Sequence, residues 1–294
     1  MSDSSSGKAP ATTTTGLARL LPSIEAASSA ASSTSHSSAI KSCCAAVYGS
    51  ELVALFLPDG YHPGGSDLTR RLADLVGVGR GARVLDVGSG AGTTALLLAE
   101  ERGAEVVGVD LGEAQVSRAR AAAERRGLSH LVRFEVGDAE GLPFPDESFD
   151  VVISECAFCT FPSKDVASRE FARVLRPSGR VGLSDIWLEP ERLDDELRGL
   201  AGWVACVADA RPVAELCRIL EAAGLEVTRA ERHDQALAAT IGKVQAAIRA
   251  LKIIDLPILR GLNFGRGLHL ANRAATLVDD GDAGYVLVAA RRCP

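Results

Sequence analysis

Val84-Leu85-Asp86-Val87-Gly88-Ser89-Gly90-Ala91-Gly92 is the stretch that decides how this chain folds. The run from Arg83 to Val87 predicts a buried strand. The glycines after it predict a turn that needs backbone freedom. Thr93 to Arg102, TTALLLAEER, predicts a helix. Strand, glycine turn and helix let a nucleotide-like ligand approach bare backbone at a helix N-terminus. The spacing D-x-G-x-G-x-G differs from the G-x-G-x-x-G of dinucleotide binders and from the G-x-x-x-x-G-K-[ST] of phosphate loops. No lysine follows to hold a phosphate.

Working outward, strands and helices alternate. Leu68, Leu72 and Leu75 recur at helical spacing just before the first strand. After it come a strand at Glu105–Val109 ending at Asp110 and a helix over Val116–Arg126. A third strand, Val132–Val136, runs into Gly137-Asp138-Ala139. A fourth, Phe149–Ser154, ends at Glu155-Cys156, followed by a helix over Lys164–Leu175, a turn at Arg176–Gly179 and a strand over Arg180–Ser184. Further on, the pattern predicts a helix through Val213, Leu216, Cys217 and Leu220, then a strand at Leu225–Ala230. An amphipathic helix through Leu237, Ile241, Val244, Ile248 and Leu251 reads as a cover on the core. A helix near Gly267–Val278 and a last strand at Tyr285–Ala290 complete the pattern. Such alternation implies a parallel sheet covered on both faces, with ligands bound at the carboxyl ends of its strands.

Composition narrows the rest. The chain has 294 residues, 47% of them hydrophobic, so it can build a substantial core. A formal net charge of −6 argues against nucleic-acid or anionic-membrane partners. No apolar run approaches the roughly 20 residues of a membrane span. Seven cysteines, scattered through an α/β pattern, suit a reducing, cytoplasmic setting better than a disulfide framework. Residues 1–38, rich in Ser, Thr and Ala, read as a disordered tail, with organelle targeting as the other reading. Residues 39–66 read as an N-terminal helical cap with a Cys43-Cys44 pair, and 67–294 as the α/β domain.

The order of elements from Leu68 to Arg291 resembles the class I S-adenosylmethionine (SAM) dependent methyltransferases. That resemblance implies a Rossmann-like seven-stranded sheet with helices on both faces and the last strand antiparallel. It also implies SAM as cofactor, with Asp86, Gly88, Gly90, Gly92, Asp110, Asp138, Ala139 and Glu155 at the cofactor. Asp110 would meet the ribose hydroxyls and Asp138 the adenine amino group. Within that class, Val152-Ile153-Ser154-Glu155-Cys156, Leu183-Ser184-Asp185 and Trp203-Val204-Ala205-Cys206 resemble the arsenite methyltransferases, as do Cys43 and Cys44 just before Tyr48-Gly49. The chain departs from them at Ser50 and around Tyr61-His62-Pro63-Gly64-Gly65. The resemblance implies that Cys156, Cys206 and one of Cys43 and Cys44, Cys44 being nearer the Tyr-Gly pair, hold arsenic(III) as a trithiolate. A thiol reductant such as glutathione or thioredoxin would accompany turnover. Cys159, three residues after Cys156, could pair with it or substitute as a ligand. Cys217 reads as a buried hydrophobe and Cys293 as incidental.

Two alternatives stay open on the residues. One is methyl transfer to an O, N or C centre of a small organic acceptor, which needs proton removal, with His62, Glu155 and Asp185 as candidates. The other is a thiol-rich metalloid-binding protein on a retained fold.

Overall fold

The computed structural model describes residues 41, 62–193, 207, 209–252 and 263–293. Its sheet has seven strands in the order β3-β2-β1-β4-β5-β7-β6. These are β1 (Arg83–Val87), β2 (Glu105–Asp110), β3 (Val132–Val136), β4 (Phe149–Glu155), β5 (Leu175–Leu188), β6 (Leu225–Arg232) and β7 (Ala283–Arg292). The first five run parallel, and β7 lies antiparallel between β5 and β6. This is the class I methyltransferase sheet expected from the sequence. The order reverses between β1 and β4, and the crevice at that reversal is where open α/β sheets bind ligands.

Seven helices among the described residues accompany the strands: α1 (Gly65–Leu75), α2 (Thr93–Arg102), α3 (Glu113–Arg125), α4 (Lys164–Val174), α5 (Val213–Ala222), α6 (Asp234–Leu251) and α7 (Phe264–Asp279). The period-2 alternation of the strands sends side chains to opposite faces. On one face Val84, Val106 and Ile153 pack with Leu72 of α1, Leu98 of α2 and Ala119 of α3. On the other, Leu85, Val107 and Val152 pack with Phe171 of α4 and Leu220 of α5. Burial of one such side chain contributes about 1.5–3 kcal/mol. Covered faces at the centre of the sheet explain why β1 and β4 read as near-continuous apolar runs.

The fifth strand is longer than its sequence suggests. The expected turn at Arg176–Gly179 lies inside β5, which follows α4 without a break. Phe149 opposes Leu175 and Val151 opposes Arg180, so six residues of β5 face three of β4. The surplus residues form a bulge, with Ser178 at φ 63, in place of a separate turn. The helix after β2 starts at Glu113, three residues before its first fully apolar position. The first turn carries the acid a helix N-terminus favours. The tail, and all of the expected cap except Lys41 and 62–66, lie outside the described residues.

Candidate active site

A cleft of about 140 Å³ opens at the carboxyl ends of β1, β2 and β4. Its floor is the glycine turn. Gly88, at φ 76, leaves room where an added Cβ would stand 2.4 Å from the Ala157 Cβ. Gly90, at φ 52, lines the cleft too. Gly92 differs. An added Cβ there would meet the Phe134 ring at 2.5 Å, so its role is to let β3 and α3 pack behind the turn. Gly92 is not among the residues that line the cleft.

The carboxylates divide in the same way. Asp110 is on the wall, with Oδ2 accepting from the Gly90 N–H at 2.9 Å and Oδ1 from the Gly112 N–H at 2.7 Å. Burial pushes its pKa above the ordinary carboxylate value, against the pull of those two donors. Asp138 also lines the cleft. It accepts from the Glu140 N–H and pairs with Lys41 Nζ at 2.7 Å. Lys41 bridges to Glu140 as well. Burial opposes the lysine's charge, but its hydrogen bonds to Asp138 and Glu140 hold its pKa above the usual value. Nothing in the sequence pairs Lys41 with residues almost 100 positions away. Asp86 lies buried beneath the wall, its Oδ2 without a hydrogen-bond partner. Burial, then the nearby charges of Glu155 and Asp110, raise its pKa well above the usual range.

Glu155 reaches the cleft, but its carboxylate is already engaged. Oε2 accepts from Thr94 Oγ1 at 2.6 Å and Thr69 Oγ1 at 2.9 Å, and Oε1 accepts from Ser184 Oγ at 3.1 Å. Tyr285 donates to Ser184 Oγ at 2.9 Å. Burial, with the neighbouring Cys156 and Glu155, raises the phenol's pKa well above its ordinary value. His62 lies in the loop before α1, as its proline context suggests, but its side chain is largely buried and its Nε2 stands 3.9 Å from Glu155 Oε2. The Glu155 partners Thr69 and Thr94 come from α1 and α2. The hydroxyl in the first turn after the glycines was the one local sign of this network.

Cys156 lies on the cleft wall, just beyond β4. Its N–H donates to the Ser184 carbonyl at 2.7 Å, extending the β4–β5 ladder by one bond, and its φ is 51. A left-handed non-glycine residue costs roughly 1–2 kcal/mol. Strain of this kind gathers at functional sites. Cys159 is buried in the 3₁₀ turn Phe158–Thr160 and its N–H donates to Asp185 Oδ2 at 2.7 Å. Asp185 accepts from the Ile186 N–H with its other oxygen, so it organises the turn and does not stand on the cleft. Cys217 is half-buried, its thiol pKa raised by burial, and Cys293 is exposed. Cys43, Cys44 and Cys206 lie outside the described residues. Among the described residues no group of three His, Cys, Asp or Glu side chains forms a metal site. Nor is any helix there long and apolar enough to cross a membrane.

The methyltransferase domain profile matches residues 79–236. This chain belongs to the methyltransferase family. The 27-O-demethylrifamycin SV methyltransferase of Amycolatopsis mediterranei is 33% identical over 76% of this chain and 82% of its own length. The arsenite methyltransferase of Halobacterium salinarum is 37% identical over 53% of this chain, but only 40% of its own length is covered. The solved phosphoethanolamine N-methyltransferase 2 of Haemonchus contortus, bound to SAM, superposes with a TM-score of 0.69 at 19% identity, over 85% of this chain and 57% of that one. The enzyme is a SAM-dependent methyltransferase.

The cleft fits that cofactor. The cradle an alanine would fill at Gly88 and the acids at Asp110 and Asp138 suit a bulky, positively charged ligand. Gly88 and Gly90 would carry its amino-acid portion, Asp110 its ribose, and Asp138 with Ala139 its adenine.

Proposed function

We propose that this methyltransferase methylates trivalent arsenic held by cysteine thiolates. The observation that carries the reading is Cys156, held in a left-handed conformation that puts it on the wall of the cofactor cleft. When bound, SAM supplies a methyl group on a positively charged sulfur. The chain's part is to hold the acceptor in line and keep water out. Arsenic(III) is soft, and thiolates are its natural ligands by the same argument that governs metals. Three thiolates would leave a lone pair on arsenic to form the new carbon bond as the methyl–sulfonium bond breaks and a neutral thioether leaves, so the transfer itself needs no base. A thiol reductant would then return the formally pentavalent arsenic to arsenic(III). Thiols with an ordinary pKa near ~8.5 lose their protons on binding, and acceptor binding therefore releases protons.

In this reading Cys206 and one of Cys43 and Cys44, with Cys44 preferred, supply the other thiolates. A thiol reductant such as glutathione or thioredoxin keeps them reduced. The acceptor is a small metalloid species, and neither nucleic acid nor membrane takes part. The net charge of −6 and the partial match to an arsenite methyltransferase support this. The test replaces Cys156, Cys206, Cys43 and Cys44 by serine in turn. Arsenite methylation falls to background in the Cys156 and Cys206 variants while SAM binding persists. Unchanged turnover in those two variants overturns the reading.

A second reading has its own observation. His62 and Glu155 sit 3.9 Å apart, buried beside the cleft, in an arrangement suited to taking a proton from an organic hydroxyl. The relative matched over most of its length is named for an O-methyl transfer. Under this reading His62→Gln removes activity and Cys156→Ser spares it.

A further inference from the structure

Glu155 ends β4, and the groups that hold its carboxylate come from four other elements. Ser184 of β5 and Tyr285 of β7 are fully buried, and Thr69 of α1 and Thr94 of α2 nearly so. A hydroxyl carries one proton to donate. Ser184 Oγ spends its proton on Glu155 Oε1 at 3.1 Å, so it can only accept from Tyr285, whose phenol donates to it at 2.9 Å. Thr94 and Thr69 aim their protons at Oε2, at 2.6 and 2.9 Å. Three protons pointed at two oxygens suit a carboxylate that acts purely as acceptor. A charge can be buried there because its donors are in place.

The position of that carboxylate says what it faces. β1 and β4 pair in register up to Asp86 and Ile153, and Gly88 and Glu155 each lie two residues further on. Both line the cleft, and Thr94 stands in the helix turn that follows the glycines. We propose that Tyr285 and Ser184 are positioning residues for the cofactor, acting by aiming the Glu155 carboxylate at the α-ammonium of its amino-acid portion. Opposite charges attract more strongly in a buried frame than across water. Tyr285 lies far along the chain from the glycine turn, and the antiparallel last strand brings its hydroxyl to the same carboxylate. The inference concerns the cofactor alone and stands for either acceptor.

The experiment measures by calorimetry how the full-length enzyme binds SAM, S-adenosylhomocysteine and 5′-methylthioadenosine. The first two carry the ammonium, and the third lacks the whole amino-acid portion. Tyr285→Phe, which keeps the ring and removes only its hydroxyl, binds the first two about fivefold more weakly, the scale of one hydrogen bond. Glu155→Gln loses about a hundredfold, the scale set by hydrogen bonds to a charged group. 5′-Methylthioadenosine binds both variants as it binds the wild type. Tyr285→Phe adds nothing in the Glu155→Gln background, because a residue that works through another loses its effect when that one is gone. Ser184→Ala breaks the same link and carries the test should Tyr285→Phe fail to fold. Unchanged affinity for SAM and S-adenosylhomocysteine overturns the proposal, as does a full tyrosine effect in the Glu155→Gln background. A parallel loss for 5′-methylthioadenosine also overturns it, by showing a damaged cleft. So does a loss for SAM with S-adenosylhomocysteine spared, which moves the target of the carboxylate to the sulfonium.

Discussion

Replacing Gly88 by alanine separates the role of the cleft floor from ordinary backbone strain. The new Cβ would stand 2.4 Å from the Ala157 Cβ, whereas unstrained carbon contacts lie at about 3.5–4.0 Å. One of the two backbone segments must therefore retreat by about 1 Å. The retreat falls on Ala157, whose neighbour Cys156 is already left-handed at φ 51. Holding alanine at φ 76 adds a cost of roughly 1–2 kcal/mol in stability. A 1 Å displacement of a reacting group lowers the rate about a hundredfold, or ~2.7 kcal/mol of transition-state stabilisation. Gly127→Ala is the control, since its φ of 68 carries similar strain and an added Cβ meets nothing within 4 Å. Methyl-transfer kinetics and thermal denaturation of both variants decide the matter. The expected result is a comparable loss of melting temperature, with the catalytic loss confined to Gly88→Ala. Equal kcat/KM in the two variants would refute the argument that this close approach positions Cys156.

Other outcomes follow from the buried and paired charges. The hydrogen bond from Arg71, above all, lowers the Glu231 pKa from 4.5 to about 2. That stabilisation is complete above the unfolded value and disappears as pH falls through the folded one. Arg71→Ala therefore lowers the denaturation midpoint near neutrality, and its stability curve meets the wild type's in strong acid; a constant gap across that range contradicts the pairing. Asp86 has the opposite sign. Its raised pKa makes the folded state lose stability as pH rises through that value, so Asp86→Asn, which stays neutral, gains stability relative to the wild type from acid to neutral pH. Chemical denaturation over a pH series measures the gain, and an unstable Asn variant at neutral pH contradicts it.

What the sequence made legible is what local pattern encodes. Apolar runs bounded by glycine placed six of the seven strands closely, and the aspartates and cysteine at their ends fell where open sheets bind ligands. The bulge in β5 escaped notice because Arg176-Pro177-Ser178-Gly179 has turn composition, while pairing with β4 resumes only at Arg180. The motif also grouped Gly92 with Gly88, although one glycine serves Phe134 and the other faces the cleft. Thr69, Ser184 and Tyr285 carried no local sign, because their relation to Glu155 depends on elements brought together only by the sheet. The same holds for Lys41. A lysine in a sequence reads as a solvated charge until its burial and partners are seen.

The most direct measurement incubates the purified full-length enzyme with methyl-labelled SAM, a thiol reductant and sodium arsenite, then separates products with element-specific detection. The account predicts labelled methylarsenic that depends on Cys156. SAM bound by the wild type, with no methylated arsenic formed, contradicts it and moves the acceptor to an organic hydroxyl served by His62 and Glu155.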